Sequence, residues 1–344
     1  MKPLSIIGGG LAGLTLGIGL RRQGAPVTVL EAGHYPRHRV CGEFINGRGL
    51  TVLENLGLTG DLKLAGARPI HTVAFILKQN ATLPLNLPAP GLAISRYKLD
   101  DLLAHRFREM GGDLRCGSRH PMGAWTEGLV RASGRIIQKD PAGTRWIGMK
   151  AHAQQATLAA DLEIHVNLNE YIGLVQLEVD RVNVCGLFRS PGPSPNLARE
   201  RSARLRGQPG SLLNERLRKD AFIDDTFCAV AGLGWQDLAP AGPDECAIGD
   251  ALGMIPPITG NGMSIAIESA AIAAWPLIQY SRGRLSWNDA CGQVALACKQ
   301  HFRLRLKWAT WLQRLLMTGA GSRSLYLIVT RIPGIWPLLF KTTR

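Results

Sequence analysis

Paired cysteines are missing from this 344-residue chain. None of its cysteines stands in a C-x-x-C pair, and they are dispersed as Cys41, Cys116, Cys185, Cys228, Cys246, Cys291 and Cys298. An odd number of dispersed cysteines argues against a disulfide framework and against a zinc site. We therefore expect a protein of the reducing cytoplasm that has no metal centre.

Long apolar runs are also missing. No run reaches the roughly 18–20 residues that a helix needs to cross a bilayer. The apolar start of the chain is followed by Arg21 and Arg22 rather than by a small-residue cleavage site, so we do not expect a signal peptide. Hydrophobic residues still make up 46% of the chain, which is enough for one large or two medium domains with buried cores.

Acidic residues are absent after Asp289, whereas basic residues continue to the end of the chain. Apolar residues recur between them at helical spacing, at Leu304, Trp308, Trp311, Leu312 and Leu315. The pattern predicts basic amphipathic helices over residues 291–344. Two interpretations stay open. Either the helices dock on the protein's own core, or they attach the protein peripherally to the anionic inner membrane surface. We do not expect nucleic-acid binding.

The chain opens on a glycine-rich turn between two apolar strands. Gly8, Gly10 and Gly13 form a G-x-G-x-x-G motif in which the glycines allow a tight turn, close backbone approach to a pyrophosphate and close helix packing. Glu31 follows at the distance where a carboxylate binds a ribose diol. The predicted elements are a strand at residues 3–7, a helix at Leu11–Gln23 and a strand at Val27–Glu31. The turn therefore predicts a dinucleotide site.

A second motif near residue 250 decides between NAD and FAD. Asp250 ends a predicted strand, where its carboxylate is suited to bind ribityl hydroxyls. A turn then opens a late helix, and its residues are Gly260, Asn261, Gly262 and Met263. The amide groups of this turn suit the pyrimidine end of a reduced flavin, which accumulates negative charge. Together the two motifs favour FAD.

The middle of the chain changes to a strand pattern. Residues Leu162–Leu168 alternate between apolar and polar side chains, which predicts a half-buried strand with Glu163 and His165 on the polar side. We predict an α/β fold, α+β in its substrate part: a Rossmann-like FAD domain, an inserted mostly antiparallel substrate sheet and a C-terminal helical segment. The FAD domain is assigned to residues 1–68, 93–145 and 238–290, and the substrate domain to residues 69–92 and 146–237.

The sequence resembles flavoproteins of the para-hydroxybenzoate-hydroxylase fold, and within them the geranylgeranyl-reductase-like branch. The residues that carry the resemblance are Gly8–Gly13 with Glu31, Tyr35–Phe44, Ser95-Arg96 with Leu99-Asp100, and Gly249–Gly262. The resemblance implies noncovalent FAD, cofactor contacts from Arg39 and Arg96, and a flavin that lies between the FAD domain and the substrate sheet. It also implies that Cys41 lies near the flavin.

Two segments depart from the family pattern. Residues 132–135 read Ala-Ser-Gly-Arg where the family usually has an Asp-Gly motif, so the cofactor role of that carboxylate is missing or altered. The segment that lines the lipid pocket in prenyl reductases keeps only its tyrosine, Tyr171. A prenyl-lipid substrate therefore does not follow from the resemblance.

Candidate catalytic residues lie in the Cys41-Gly42-Glu43 segment. A thiol beside Arg39 is expected to have a lowered pKa and to act as an acid or nucleophile, or Cys41 is simply a small buried residue. Glu43 is a second acid–base candidate. Polar strand residues and a proline near the second motif are candidates for the substrate pocket, namely Lys150, His152, His165, Tyr171 and Pro257. The alternative is that such strand residues face solvent.

These features predict an FAD-dependent oxidoreductase that acts on a hydrophobic small molecule, with NADPH or NADH as a candidate external electron donor. We slightly favour a C=C reductase or dehydrogenase that uses flavin hydride transfer. The alternatives are a monooxygenase that hydroxylates an aromatic or polyketide-like substrate and a non-catalytic flavin-binding scaffold. In each catalytic case the flavin carries the difficult step, and the protein supplies positioning and exclusion of water.

Overall fold

The structure is a computed structural model of the chain. It describes residues 1–121, 126–135, 145–178, 180–190, 197–217, 222–233, 244–253, 256–332 and 334–343. Residues Ala132–Arg135, where the sequence departs from the Asp-Gly motif of the family, lie within these ranges.

Strands and helices alternate in the first third of the chain, strands dominate the middle, and helices form the end. The strands are β1 (Leu4–Ile7), β2 (Val27–Glu31), β3 (Phe44–Ile45), β4 (Arg68–Leu77), β5 (Asn80–Ala81), β6 (Leu85–Ala93), β7 (Asp113–Cys116), β8 (Leu129–Arg131), β9 (Arg145–Gln154), β10 (Leu162–Asn167), β11 (Glu170–Gln176), β12 (Arg181–Ser190), β13 (Cys228–Leu233) and β14 (Cys246–Ala247). The helices are α1 (Leu11–Arg22), α2 (Arg48–Asn55), α3 (Thr59–Leu64), α4 (Arg96–Glu109), α5 (Leu197–Arg206), α6 (Leu212–Leu217), α7 (Gly262–Ser281), α8 (Trp287–Leu316), α9 (Gly319–Arg331) and α10 (Ile335–Thr342).

A parallel sheet carries the opening motif. Its strand order is β14-β8-β1-β2-β7, and every pairing in it is parallel. The predicted β-turn-α-β unit is confirmed, because β1, α1 and β2 follow the predicted ranges. Helices α1, α4 and α7 pack on this sheet and share one apolar core with it. The Rossmann-like part of the predicted fold is therefore confirmed.

A larger sheet holds most of the remaining strands, in the order β13-β9-β12-β11-β10-β4-β6-β3. Its pairings are antiparallel except for β4 with β10, so the expected mostly antiparallel sheet is confirmed. The prediction that β10 is half buried is wrong: Glu163 and His165 are buried, and Leu168 is exposed just beyond the strand. Both faces of this sheet are covered, because α5 and α6 pack on one face and the C-terminal helices on the other.

Helix α8 docks on the core through a face that the sequence pattern did not indicate. Phe302, Leu306 and Ala309 point inward, whereas Trp308 and Trp311 face solvent. A buried ion pair also fixes the helix, since Arg305 Nη1 lies 2.7 Å from Glu268 Oε2 on α7. In the part of the chain that the structure describes, no helix combines the length and the hydropathy that a bilayer crossing needs.

Candidate active site

The glycine-rich turn leaves open space where a pyrophosphate would approach the backbone. A Cβ on Gly8, whose φ is +106°, would meet Ala132 O at 2.4 Å, and a Cβ on Gly13 would meet Gly8 O at 1.9 Å. Over Gly10, by contrast, a Cβ would have no described atom within 4 Å. Gly10 is also the N-cap of α1, so the free amide groups of this helix end face the same space. This arrangement fits the diphosphate of a dinucleotide.

Glu31 is buried at the end of β2 and is held as a carboxylate. Its Oε2 accepts a hydrogen bond from the Gly9 amide and its Oε1 one from the Gly33 amide, both at 2.8 Å. Arg37 Nη2 lies 2.7 Å from Oε2. Burial raises the pKa of Glu31, but the hydrogen bond and charge of Arg37 outweigh burial and leave the pKa below its usual value. An anionic acceptor at this position suits a ribose diol, and Arg37 is a supporting residue that the sequence reasoning missed.

Arg39 and Arg96 differ in how their charges are neutralised. Arg96 makes two hydrogen bonds to Asp100, of 2.7 and 2.8 Å, and the charge of this partner raises its pKa although burial opposes the change. Arg39 lies 3.6 Å from Asp100 and 3.8 Å from Glu31, and burial together with neighbouring Arg96 lowers its pKa. Arg39 is therefore the cation available to an anionic cofactor group, whereas Arg96 braces the start of α4.

Asp250 lies in a single 3-10 turn, Gly249–Ala251, at the end of the parallel sheet. Burial raises the pKa of its carboxyl despite the positive charges of Arg96 and Arg135. Arg135 belongs to the segment that departs from the family pattern, and it also lies within electrostatic range of Arg39. The sequence reasoning missed this arginine because it looked for a carboxylate there. A basic residue thus stands beside the predicted ribityl-binding carboxylate.

The second glycine turn lies against the Cys41–Asn46 segment. Gly260 adopts a left-handed conformation with φ +63°, and a Cβ there would meet the Phe44 ring at 3.6 Å. The Asn46 amide donates to Ser264 Oγ at 3.2 Å, and this hydroxyl donates to Asn46 O at 2.9 Å. The expected flavin-binding turn and the expected catalytic segment are therefore adjacent, although more than two hundred residues separate them.

The remaining residues of this turn have different surroundings. Asn261 is buried and its Nδ2 donates to the carbonyl of Thr343, so the C-terminal end of the chain closes over the turn. The Met263 side chain is buried in the core, and only its backbone can contact a cofactor. Gly262 begins α7 and is exposed. The backbone of Gly260 and Gly262 thus remains the candidate contact for the flavin.

The expected reactivity of Cys41 is not supported. Burial raises the pKa of its thiol, and its polar neighbour is Arg96 rather than Arg39. The carbonyl of Cys41 accepts a hydrogen bond of 3.0 Å from Asn183 on β12, which ties the segment to the large sheet. The raised pKa keeps this partly buried thiol protonated, and a protonated thiol is a poor nucleophile. A role of Cys41 in the shape of the site stays a prediction, and Glu43 is the acid–base candidate that is ionised there.

Glu43 is the centre of a group of polar side chains that we call the inner cluster. It consists of the half-buried His38 and the fully buried Glu43, Lys150 and His152. Glu43 has φ +57° and is fully buried. Its Oε1 lies 3.1 Å from Lys150 Nζ and accepts from the Arg96 amide at 2.9 Å, and its Oε2 lies 2.7 Å from His152 Nε2. Burial raises the pKa of Glu43, but the His152 hydrogen bond and the Lys150 charge hold it below its usual value. The carboxylate therefore stays ionised inside the protein.

Lys150 and His152 were expected to lie either in a pocket or in solvent, and both are fully buried on one face of β9. His38, which the sequence reasoning missed, accepts a hydrogen bond of 3.2 Å from Lys150 Nζ and stacks on Tyr97. Burial and the neighbouring Lys150 lower the pKa of His38 to about 4, so it is neutral at physiological pH. Nδ1 of His152 is buried without a hydrogen-bond partner among the described residues.

His165 lies on the face of the large sheet opposite Lys150 and His152, so it cannot share a pocket with them. The register pairs Lys150 with Cys185, Gly173 and Ile164 across neighbouring strands, and His165 is one residue further along β10. Successive side chains in a strand point to opposite faces. His165 belongs instead to an outer cluster with Glu163 and Arg216, in which its Nε2 lies 3.0 Å from Glu163 Oε2.

An apolar cavity of about 90 Å³ lies between the large sheet and the C-terminal helices. Its walls include Ile164, Val166, Ile258, Leu316, Leu325 and Phe340. Tyr171 packs in the same apolar cluster, and burial raises the pKa of its hydroxyl. Pro257 lies beside the cavity and begins the short turn that leads to Gly260. Tyr171 and Pro257 therefore lie next to this cavity, whereas Lys150 and His152 belong to the inner cluster.

The family of the chain follows from a match to the FAD binding domain model over residues 2–181. The match covers more than half of the chain, so the chain belongs to this family, and the expected FAD cofactor is confirmed. The protein is thus an FAD-dependent oxidoreductase, and its residues at Gly8–Gly13, Glu31 and Arg39 fit the cofactor. Bound FAD supplies the redox chemistry.

Comparison with known proteins places the fold among flavoenzymes. The chain is 22% identical to the menaquinone reductase of Mycolicibacterium smegmatis over 312 residues, which are 78% of this chain and 74% of that protein. The flavin-dependent brominase Bmp2 is 19% identical with a TM-score of 0.76, over 99% of this chain and 92% of the brominase. PqsL, a probable FAD-dependent monooxygenase from Pseudomonas aeruginosa, is 18% identical with a TM-score of 0.72, over 94% and 99%. The two structural likenesses show a shared fold along nearly the whole chain.

Proposed function

We propose that this protein is an FAD-dependent monooxygenase that hydroxylates an apolar phenol or enol. The observation that carries the proposal is the inner cluster, in which a buried ionised carboxylate is hydrogen-bonded to a histidine. Its Glu43 lies next to Phe44, whose ring faces the candidate flavin turn at Gly260. The fold likeness to a probable FAD-dependent monooxygenase and to a flavin-dependent brominase supports oxygen-dependent chemistry. This interpretation replaces hydride transfer to a C=C bond as our preferred reaction.

The reaction that we propose consumes one molecule of O2 and one reduced nicotinamide. The substrate C–H, O2, NAD(P)H and a proton give the substrate C–OH, water and NAD(P)+. One oxygen atom forms the new C–O bond, and the other leaves as water with the two electrons of the nicotinamide. A substrate hydroxyl that has lost its proton is more electron-rich and reacts faster with an electrophilic oxygen, so the protein's contribution is a base in a dry site.

His152 is the residue that we assign to this proton. In the tautomer whose Nε2–H donates to Glu43, Nδ1 is an acceptor that has no partner among the described side chains and backbone groups. A substrate O–H placed against Nδ1 would donate to it, and the charge of Glu43 would stabilise the imidazolium that forms when the proton moves. Lys150 keeps Glu43 ionised, and His38 links Lys150 to the partly exposed Tyr97 side of the site.

The test is incorporation of heavy-isotope O2. The reduced holoprotein would be mixed with labelled O2 and a series of apolar phenols and enols, and the products would be analysed by mass spectrometry. We expect one labelled oxygen atom per product molecule and a transient absorbance that belongs to neither reduced nor oxidised flavin. Flavin reoxidation that never labels a product would contradict the proposal. A bound flavin that cannot be reduced would instead support the non-catalytic scaffold.

A reductase is the second candidate, because the menaquinone reductase matches this chain over 78% of its length. In that reaction a substrate C=C bond, NAD(P)H and a proton give the saturated product and NAD(P)+. The geranylgeranyl-reductase-like branch stays a prediction in this context. Anaerobic turnover separates the candidates: reduction of a polyene or isoprenoid acceptor without O2 supports the reductase, and an absolute need for O2 supports the monooxygenase.

A further inference from the structure

Large apolar side chains are exposed on the three C-terminal helices. Along α8, Leu304, Trp308 and Trp311 have 68%, 42% and 51% of their surface exposed, and they follow one another at helical spacing. The Trp308 and Trp311 rings meet edge to face at 5.6 Å. Exposed apolar residues continue on the other two helices, with Leu327 and Ile328 on α9 and Leu338 on α10. We call this set the C-terminal surface.

Basic side chains alternate with these apolar residues. The exposed ones are Arg303, Lys307, Arg314, Arg323, Arg331 and Lys341. None of them is ion-paired with a carboxylate in the described ranges, and no acidic residue follows Asp289 in the sequence. The only basic residue of α8 in this region that turns inward is Arg305, whose charge is neutralised by Glu268. The C-terminal surface is therefore both apolar and uniformly positive.

The inner sides of the same helices line the apolar cavity. Leu312 and Leu316 of α8, Leu325 and Val329 of α9, and Leu339 of α10 contribute to its wall. The C-terminal surface and the cavity wall are therefore formed by the same three helices.

We propose that the C-terminal surface docks the protein on an anionic lipid bilayer. Tryptophan and leucine suit the boundary between head groups and acyl chains, and the surrounding lysines and arginines suit anionic head groups. A second copy of the chain is disfavoured as the partner, because a two-fold pairing would bring the same positive patch against itself. The proposal does not depend on which reaction the flavin performs.

Vesicle flotation of the full-length holoprotein tests the proposal. Vesicles of phosphatidylglycerol and phosphatidylcholine are compared with vesicles of phosphatidylcholine alone, at low and high salt. We expect flotation only with the anionic vesicles, and weaker flotation at high salt because salt screens the charges. Lys307→Gln with Arg314→Gln should weaken binding about fivefold for each charge removed. Trp308→Ser with Trp311→Ser should reduce the bound fraction at equal charge.

Matched variants on a remote surface separate docking from a general effect of composition. Trp275 on α7 is 62% exposed, and Lys63 is exposed on α3. Trp275→Ser and Lys63→Gln should bind vesicles as the unmodified protein does. Flavin absorbance and the melting temperature of each variant verify that all of them are folded.

Several results would overturn the proposal. They are the absence of flotation with anionic vesicles, equal flotation with both vesicle types, and unchanged flotation of the double tryptophan variant. Tighter binding to a random-sequence DNA duplex than to vesicles would indicate that the exposed lysines and arginines bind a nucleic acid instead. A concentration-dependent dimer that the tryptophan substitutions abolish would assign the surface to a second copy.

Discussion

Two clusters of the same chemical type lie buried on opposite faces of the large sheet. The inner cluster places Glu43 between Lys150 and His152, and the outer cluster places Glu163 between His165 and Arg216. In both clusters burial raises the carboxyl pKa, and a histidine hydrogen bond with positive charge more than reverses this effect. The residue types alone therefore do not distinguish a site from a structural tie.

The connections of the two clusters differ. The outer cluster fixes α6 to β10 through the hydrogen bond from Arg216 to Glu163. The Ala159 amide donates a further hydrogen bond of 2.6 Å to Glu163 Oε1. The inner cluster joins a segment beside the flavin turn to β9, and it leaves His152 Nδ1 without a partner among the described residues. A buried polar atom without a partner costs free energy, so it is a stronger sign of function than burial or a shifted pKa.

The largest difference is expected when each carboxylate is removed. Glu43→Ala leaves Lys150 buried without its counter-ion, which should lower the free energy of unfolding by about 3–5 kcal/mol. Glu163→Ala should cost less, because Arg216 is partly exposed and can be solvated. Urea unfolding of both variants measures the difference. Equal losses of unfolding free energy in the two variants would mean that both clusters contribute equally to the stability of the protein.

The histidines should separate function from structure. His152→Gln removes the proposed base and should lower turnover about 10²–10⁴-fold, with the flavin content retained. His165→Gln should change turnover less than twofold, since this side chain lies on the other face of the sheet. Steady-state kinetics on the substrate identified by oxygen labelling gives both values. A comparable loss in His165→Gln would refute the assignment of the site to the inner face.

A smaller effect is expected at the edge of the outer cluster. Arg216→Gln removes charged hydrogen bonds to Glu163, which should lower the free energy of unfolding by about 1.5–3 kcal/mol. Flavin content and the flavin absorbance spectrum should stay unchanged. A changed spectrum would show that the outer cluster communicates with the cofactor.

The smallest effect concerns pH. The pKa of His38 is lowered from 6.5 to about 4, so the unfolded chain takes up a proton across this interval and the folded chain does not. Stability therefore falls as the pH drops from 6.5 toward 4, and His38→Gln should flatten this part of the profile. Urea unfolding of the unmodified protein and of His38→Gln across this pH range measures the two slopes, and an unchanged slope in His38→Gln would contradict the assignment.

Local patterns made the first part of the fold predictable. The glycine spacing, the helix after it and Glu31 all lie within one β-turn-α-β unit, where each residue's role follows from its near neighbours. The link between Glu43 and His152 spans 109 residues, and the link between His38 and Lys150 spans 112. The periodicity of a sequence predicts helices and strands but not contacts between residues so far apart. Lys150 and His152 were therefore predicted as pocket residues, but their contacts with Glu43 and His38 were not predicted.

The sequence also did not reveal which faces of a strand or helix are covered by other elements. Strand alternation assigned Glu163 and His165 correctly to one face of β10, but it could not reveal that α5 and α6 cover that face. In α8, two stripes of apolar residues satisfy the same helical period. The stripe through Phe302 faces the core, and the stripe through Trp308 faces solvent. The expectation of a lowered pKa for the Cys41 thiol was wrong for a related reason. Desolvation raises this pKa, and the residue packs near Asn183 on β12, which is far along the chain.

The reduction potential of the bound flavin is the most direct test of the central claim that the inner cluster belongs to the flavin site. Glu43→Gln removes a negative charge beside the proposed flavin position, so the account predicts a higher potential than in the unmodified holoprotein. Glu163→Gln removes the same charge on the other face and should leave the potential unchanged. Equal potentials in all three proteins would contradict the account.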